Sequence, residues 1–438
     1  MRLHRTGVLA VAAVTSLALG ACSAGSLGSS ESEGGKVTLT FLTNNDESNI
    51  KAAENVVKDF NAKNPNITVK VESRPGGTEG DNLIKTRLST GDMSEVFEYN
   101  SGSLFQAIAP EKNLTPLDDQ PWAGQLSDNF KSTVTAGGKV YGGPWGTFTT
   151  GAVLYNRAVY AKLNLQVPKT WAEFMANSAK IKAAGIDPVI QTFQDTWTSQ
   201  LFVLGDFHNV SAAEPDFADR YTKGQAKYAT DPAAIKGFQR QQEVHDAGYL
   251  NKDFASTKLQ DGLKKLANGQ GAQYPMLSSV VSNVVATYPD KVKDIGLFPI
   301  PGDDAATNGL TVWSPSGLYI PKTVEGAKLD AAKKFVAFVA SPEGCASWAK
   351  TGTPTGPYAV KTCQLPADVS QVAKDTQTYI DKPGGSSLAL EFLSPIKGPA
   401  LEQITVEVGS GIRTAKSGAA LYDQDVKKQA QQLGLPGW

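Results

Sequence analysis

Gly137-Gly-Lys-Val-Tyr-Gly-Gly-Pro-Trp-Gly-Thr-Phe-Thr-Thr-Gly-Ala-Val-Leu-Tyr-Asn156 sets two large aromatic residues in a glycine-rich run and then turns apolar. Gly142, Gly143, Pro144, Gly146 and Gly151 cannot pack a core of their own. Trp145 and Phe148 among them present flat apolar faces to whatever passes close to the backbone. Ala152-Val-Leu-Tyr155 then reads as a buried strand. A chain crossing from one folded body to another has this form, and so has a glycine-rich loop feeding an ordinary strand. The stretch by itself supports both readings.

The chain around it has 438 residues, enough for two bodies with cores of their own. Its 42 basic and 43 acidic residues nearly cancel, which argues against an electrostatic grip on nucleic acid or on an anionic membrane surface. An uncharged partner fits better. Tryptophan and tyrosine, well represented here, combine stacking with hydrogen bonding in one side chain.

At the N-terminus, Arg2 and Arg5 precede the apolar stretch from Val8 to Leu19, too short to span a bilayer and shaped like a secretory signal. It ends in Leu19-Gly-Ala-Cys22, small residues before a cysteine. This resembles the lipobox of bacterial lipoproteins, in which that cysteine is lipidated and becomes the mature N-terminus. Ser23 to Gly35 is rich in Ser and Gly, cannot collapse, and behaves as a coil reaching roughly 20 Å. It is a tether. With Cys22 set aside, Cys345 and Cys363 remain as an even pair in an exported chain, and a disulfide is expected between them. His4, His208 and His245 are scattered, so no metal-ligand cluster is visible, and neither a metal nor a cofactor is expected.

Upstream of the glycine-rich run, Val37-Thr-Leu-Thr-Phe-Leu42 reads as a first strand. Ile50, Ala53, Val56, Val57 and Phe60 recur at helical spacing until Asn64-Pro65, and Ile67, Val69 and Val71 return to period two. The unit is β-α-β. Between its first strand and helix lies Thr43-Asn-Asn-Asp-Glu-Ser-Asn49, at the carboxyl end of a strand, where open α/β sheets take ligands. Asn45 and Asp46 are candidates to accept hydroxyl hydrogens there, and Asp46 or Ser48 serves equally as a helix N-cap. A helix from Asn82 to Thr90 and a strand from Glu95 to Tyr99 follow. That strand ends in Asn100-Ser-Gly102, so Asn100 is at once a polar candidate and an ordinary turn residue.

Downstream, Thr170 and Glu173 form a capping box for a helix running to Ala184 and ended by Gly185. Ile186 to Ile190 is a strand, and its exit, Gln191-Thr-Phe-Gln-Asp-Thr-Trp-Thr198, carries Asp195 and Trp197. Tryptophan is usually core, but this one has little apolar sequence around it. Helices are expected at Pro232 to Asp246 and Lys258 to Asn268, then a strand from Gly271 to Met276 that offers Tyr274, and a strand from Lys293 to Pro301. Leu310 to Ile320 reads as one further strand carrying Trp313, a return crossing. The remainder is helical: Ala331 to Ala340, a capped start at Ser341-Pro-Glu343, Ala367 to Ile380, Pro395 to Thr414 and Gly418 to Leu433.

Leu19-Gly-Ala-Cys22, the first strand and helix through Phe60, Asn100-Ser-Gly102, Gly138-Lys-Val-Tyr-Gly142 with Val153-Leu-Tyr-Asn156, Pro168-Lys-Thr-Trp171 and Ser341-Pro-Glu-Gly344 together carry a resemblance. The chain resembles the bacterial extracellular solute-binding lipoproteins of carbohydrate-uptake ABC transporters, family 1, similar to maltose- and oligosaccharide-binding proteins. The resemblance implies an α/β fold of two lobes joined by hinge strands, with the ligand enclosed between them and no enzymatic activity. It implies a carbohydrate ligand, the permease subunits of an importer as partners, a monomer, and a lipid anchor at the outer face of the bacterial cytoplasmic membrane. The boundaries expected are a signal peptide at 1–21, a tether at 22–35, a first lobe from 36–148 and about 302–345, and a second from 149–301 and about 346–438. Sugars in the family lie against aromatic rings and bond to Asp, Asn, Glu and Gln. By position this points to Asn45, Asp46, Asn100, Trp145, Phe148, Asp195, Trp197, Tyr274, Trp313 and Phe392. One departure is that Leu277-Ser-Ser-Val280 stands where family members often have a tryptophan.

Two rival classes are weighed. A secreted glycoside-active enzyme needs two opposed carboxylates at a defined separation, and no such pair stands out in the sequence. A binding protein for a polyamine or peptide would favour more acidic residues near the aromatics.

Overall fold

The computed structural model describes residues 35–438; the secretory stretch, Cys22 and most of the tether lie outside the described residues. The strands of its two large sheets are, in chain order, β1 (Val37–Asn44), β2 (Ile67–Arg74), β3 (Val96–Tyr99), β4 (Gly143–Trp145), β5 (Thr149–Asn156) and β6 (Asp187–Val189). They continue as β7 (Gly271–Leu277), β8 (Ile295–Phe298), β9 (Leu310–Trp313), β10 (Ser316–Tyr319) and β11 (Ser386–Leu388).

The first sheet runs β2-β1-β3-β10-β4. β1 pairs in parallel with β2 from Val37 opposite Ile67 to Asn44 opposite Arg74, and with β3 at Phe41 opposite Val96. Parallel neighbours need a crossover, and helix Glu47–Lys63 supplies it by burying Ala52, Ala53, Val56, Val57 and Phe60 on one face. Phe60 meets Phe335 of helix Gly326–Val339 edge to face at 5.1 Å, so the returning chain completes this core.

The second sheet runs β11-β9-β5-β7-β6, with β8 also paired to β5. Thr170 and Glu173 cap helix Trp171–Ala183 reciprocally, as their spacing predicts. Other helix starts move with their caps. Ser370 accepts from the Ala373 N–H, so that helix begins at Gln371, and Lys397-Gly-Pro399 delays the next until Leu401.

Two crossings join the sheets side by side. Trp145 ends β4 and Thr149 begins β5, while Trp313 ends β9 and Ser316 begins β10; Ser316 lies opposite Trp145 and Trp313 opposite Thr149. Gly146 turns the first crossing at a φ of 94°, a backbone region that side chains disfavour. The expected single strand from Leu310 to Ile320 is therefore two strands in different sheets. Pro315 has no N–H for a ladder, and the break at Ser314-Pro315 is where the chain changes body. This also moves the lobe boundaries: Leu310–Trp313, read with the first lobe, belongs to the second sheet. Val360, read with the second lobe, bridges to Leu126 beside the first. The third passage follows Lys361 and reaches helix Gln371–Asp381, whose Asp375 accepts from the Leu297 N–H of β8 at 3.1 Å.

Cys345 and Cys363, 18 positions apart, are bonded to each other. The bond ties helix Pro342–Ala349 to the root of the third passage. Replacing both cysteines by serine is expected to lower folding stability by about 3 kcal/mol in the chain-entropy model, as reduction of the unaltered protein should. Denaturant unfolding with and without reductant measures both, and equal midpoints for variant and oxidised parent would refute the role. Among the described residues no helix is long and apolar enough to cross a membrane.

Candidate functional site

Beside the paired crossings lie two neighbouring cavities of about 320 Å³ and 450 Å³, and Thr149, Ser314 and Ser316 line both. They are two compartments of one cleft, with walls from both sheets.

The first compartment is built at the carboxyl end of β1 and β3. Thr43 and Asn44 end β1, Glu98 lies in β3, and Asn49 is in the first turn of helix Glu47–Lys63. Glu98, buried on the central strand of the sheet, accepts from the Thr43 hydroxyl, from the Asn44 N–H at 3.1 Å, and from Asn49 Nδ2 at 2.8 Å. Its other oxygen, Oε1, takes Asn44 Nδ2 at 3.1 Å. Asn49 in turn accepts from Trp145 Nε1 at 2.7 Å, so one hydrogen-bonded chain fixes the indole, the amide and the carboxylate together. Such bonding keeps a buried carboxylate tolerable with no cation bonded to its oxygens, the buried Arg74 donating instead to the Glu98 backbone carbonyl at 3.3 Å. Trp145 rests edge-on against Phe41 at 5.1 Å, which anchors it from beneath.

Trp348, on helix Pro342–Ala349, forms another wall. A Cβ on Gly352 would come within 2.8 Å of its ring, so only glycine lets the backbone lie this close. The Trp348 Nε1 is buried and has no acceptor among the described residues. Asp46, exposed at the rim, is the N-cap position of helix Glu47–Lys63 without a side-chain capping bond.

The second compartment faces Trp313 and Phe392. The Trp313 Nε1–H donates to Glu391, whose other oxygen pairs with Lys397 at 3.1 Å. Phe392 lies against Gly102 of the first body, where a Cβ would stand 2.5 Å from its ring. Asn100 lines this compartment through an exposed side chain.

Of the residues singled out from sequence, the structure gathers Asp46 and Trp145 in the first compartment and Asn100, Trp313 and Phe392 in the second. The others lie elsewhere. Asn45 is exposed and outside both linings, since its neighbour Asn44 takes the inward position. Phe148 is buried in the crossing, its N–H bonded to the Pro357 carbonyl at 3.0 Å. Tyr274 is a core residue: it is fully buried, its hydroxyl sits 2.5 Å from Thr192 Oγ1, and burial pushes its phenol above the ordinary range. Asp195 accepts from the Leu259 N–H at 2.6 Å and so caps helix Leu259–Ala267. Trp197 is half-buried against the core and lines neither compartment.

Sequence reasoning missed Glu98, Asn49 and Trp348. A signal existed for the first: a glutamate inside Val96-Phe-Glu-Tyr99, all four of them buried, is out of place unless something bonds to it. Trp348 sits in an ordinary amphipathic pattern, and nothing local distinguishes it from core.

Comparison with known proteins agrees with this geometry. The "Multiple sugar-binding protein" of Streptococcus mutans serotype c is 25% identical over 340 residues, covering 76% of this chain and 78% of that protein. The "sn-glycerol-3-phosphate-binding periplasmic protein UgpB" of Shigella flexneri serotype 5b is 24% identical over 321 residues, covering 69% of this chain and 70% of that one. Among solved structures, a "Chitin oligosaccharide binding protein" superposes with a TM-score of 0.75 at 22% identity, over 91% of this chain and 100% of that one. RafE in complex with raffinose gives 0.74 at 21% identity, again over 91% and 100%. These likenesses show the fold, an α/β architecture of two lobes. The sequence profile described as "Bacterial extracellular solute-binding protein" matches residues 44–344, and with the paired crossings and the cleft beside them this shows that the chain belongs to that family.

Proposed function

We propose that the protein captures a carbohydrate in the cleft between its two sheets and hands it to the permease of an ABC importer, without catalysis. One observation carries the reading: Trp145 and Trp348 line a compartment whose remaining polar groups are Asp46, Glu98, Asn44 and Asn49 together with Ser and Thr hydroxyls. A sugar ring has an apolar face of C–H groups and a rim of hydroxyls, which aromatic faces and fixed planar acceptors match. The buried Trp348 N–H, without an acceptor among the described residues, would be satisfied by a ligand oxygen. The names of the relatives support a sugar, and the second compartment of about 450 Å³ supports an oligosaccharide over a single ring. Lobe closure over the ligand would exclude water from these bonds. Tethering through Cys22 would hold the protein at the outer face of the membrane, and loss of lipid attachment in Cys22→Ala tests that part by cell fractionation.

A thermal-shift and calorimetric screen of neutral mono- and oligosaccharides, with spermidine as a cation, tests the ligand class. A true ligand raises the melting midpoint as its concentration rises past Kd. Trp348→Ala should then weaken saccharide binding by roughly 1–3 kcal/mol, in the range of interface aromatics, and, because the ring also packs on Gly352 and Tyr358, lower the unliganded midpoint less than loss of a fully buried tryptophan would. If no saccharide shifts the midpoint and spermidine alone does, the cleft passes to the cationic-ligand reading.

A further inference from the structure

The family does not decide the charge of the ligand, since one relative is named for a sugar and another for a phosphate ester. We infer that this cleft selects against anions, and that Glu98 is the residue that sets the discrimination. The inference rests on the carbohydrate reading and deepens it: the ligand is a neutral or amine-bearing saccharide, and uronates and sugar phosphates are rejected.

The charges on the walls carry the argument. Asp46 and Glu98 are the charged side chains lining the first compartment. The second adds Glu391 and Lys397, and that ammonium is already 3.1 Å from Glu391. Three carboxylates thus face one paired ammonium. A bound phosphate or carboxylate needs a cation or a set of free N–H donors. The donors around Glu98 are committed: Asn44 N, Asn44 Nδ2 and Asn49 Nδ2 all point at Glu98, and Trp145 Nε1 points at Asn49, which leaves the Trp348 Nε1–H as a single neutral donor, too little to hold an anion. The N-terminus of helix Glu47–Lys63 also opens beside the cleft, but it offers only about half a positive charge against two full negative ones. Nearby cations do not reverse the balance: Lys51 pairs with Glu47 and Lys350 with Asp59, each at 2.6 Å, and Arg74, buried and donating to the Glu98 and Pro75 backbone carbonyls at 3.3 and 2.9 Å, lines neither compartment and presents no N–H to a ligand.

Glu98 matters more than Asp46 because it is buried while Asp46 is exposed. Water and salt screen a rim carboxylate well and a buried one poorly. A ligand carboxylate about 6 Å from Glu98, at an effective dielectric of about 20–40, would bind roughly 10–100-fold more weakly than its neutral counterpart.

The test uses isothermal calorimetry on the mature chain with raffinose, cellotriose and maltotriose, each beside its C6-oxidised uronate. The expected result is that any trisaccharide that binds loses at least about tenfold in affinity on oxidation. Glu98→Gln, nearly isosteric, should narrow that gap several-fold at 20 mM and at 500 mM salt alike, because salt screens a buried charge poorly, whereas a merely structural role would weaken parent and uronate equally and leave the gap unchanged. Asp46→Asn, at an exposed position, should narrow it less and serves as the second probe should Glu98→Gln fold poorly. A uronate that binds as tightly as its neutral parent overturns the inference and leaves the carbohydrate reading standing. A gap that neither variant narrows overturns the assignment to these carboxylates. Silence from every saccharide, neutral and oxidised, overturns both the carbohydrate reading and this inference.

Discussion

Arg240→Ala is expected to cost the second body about 3–5 kcal/mol of folding stability, the range for removing one partner of a buried ion pair. Arg240 and Asp206 are both almost fully buried, and Arg240 Nη1 donates to Asp206 Oδ1. The same guanidinium lies 5.6 Å over the Trp171 ring and 3.5 Å from Asp303, so it joins three elements of this body. Without it, Asp206 keeps the amide of Asn209 at 2.6 Å as its one donor from the pair's surroundings, and a carboxylate in that setting is strongly disfavoured. Burial already raises the Asp206 carboxyl to about 6 against the pull of Arg240. Removing Arg240 lifts it further. An acid whose folded pKa lies above its unfolded one contributes stability that is present at low pH and lost as pH rises through the folded value. The deficit of the variant should therefore be largest above pH 7 and shrink toward pH 5, where Asp206 is protonated and neutral. Urea unfolding at the two pH values measures it. A loss under 1 kcal/mol that does not change with pH would show the pair to be peripheral.

Trp145→Ala is expected to be comparably damaging, about 3–5 kcal/mol, because it empties a buried indole volume against Phe41 at the point where the chain changes sheet. Stability alone would not reveal a role in binding. Trp145→Phe separates the two better, since it keeps an aromatic ring on Phe41 while losing the Nε1 bond to Asn49 and a smaller volume than alanine would. That variant should melt close to the parent, yet bind saccharide about tenfold more weakly, the loss of roughly one hydrogen bond in the cleft plus a freed amide beside Glu98. Calorimetry and an unliganded melt on both variants decide it. If Trp145→Phe binds as the parent does, the indole is a packing element of the crossing and the stacking role passes to Trp348.

The β-α-β opening and the capping box at Thr170 and Glu173 were legible because their causes are local, whereas the glycine-rich passage around Trp145 read equally as a crossing and as a loop. A period, a cap or a turn is written within a few residues. Where one local cue was overridden, a neighbouring cue explains it: Pro315 divides the strand read from Leu310 to Ile320, and Ser370 fixes a helix start that periodicity placed earlier. Strand alternation puts Tyr274 and Met276 on one face of the strand that sequence placed at Gly271 to Met276, but which face meets the cleft depends on a helix and a sheet elsewhere in the chain. Both side chains are fully buried.

Trp197 shows why polar neighbours mislead. Thr198 and Ser199 beside it are buried, the first bonded to Thr192 Oγ1 at 2.9 Å and the second facing Thr405 Oγ1 at 2.7 Å. Hydroxyls satisfied inside the protein look the same in sequence as hydroxyls exposed to a ligand.

What the sequence determined by itself was the kind of molecule, built of α/β units, and the pairing of Cys345 with Cys363. What only the tertiary structure decided was which polar groups meet at the cleft. Glu98 is held by residues 49 to 55 positions earlier in the chain, and Trp348 joins Trp145 from about 200 positions later. Hydrogen bonds and cavity walls are made by distance in space, and no local pattern encodes a partner that the fold delivers from so far away.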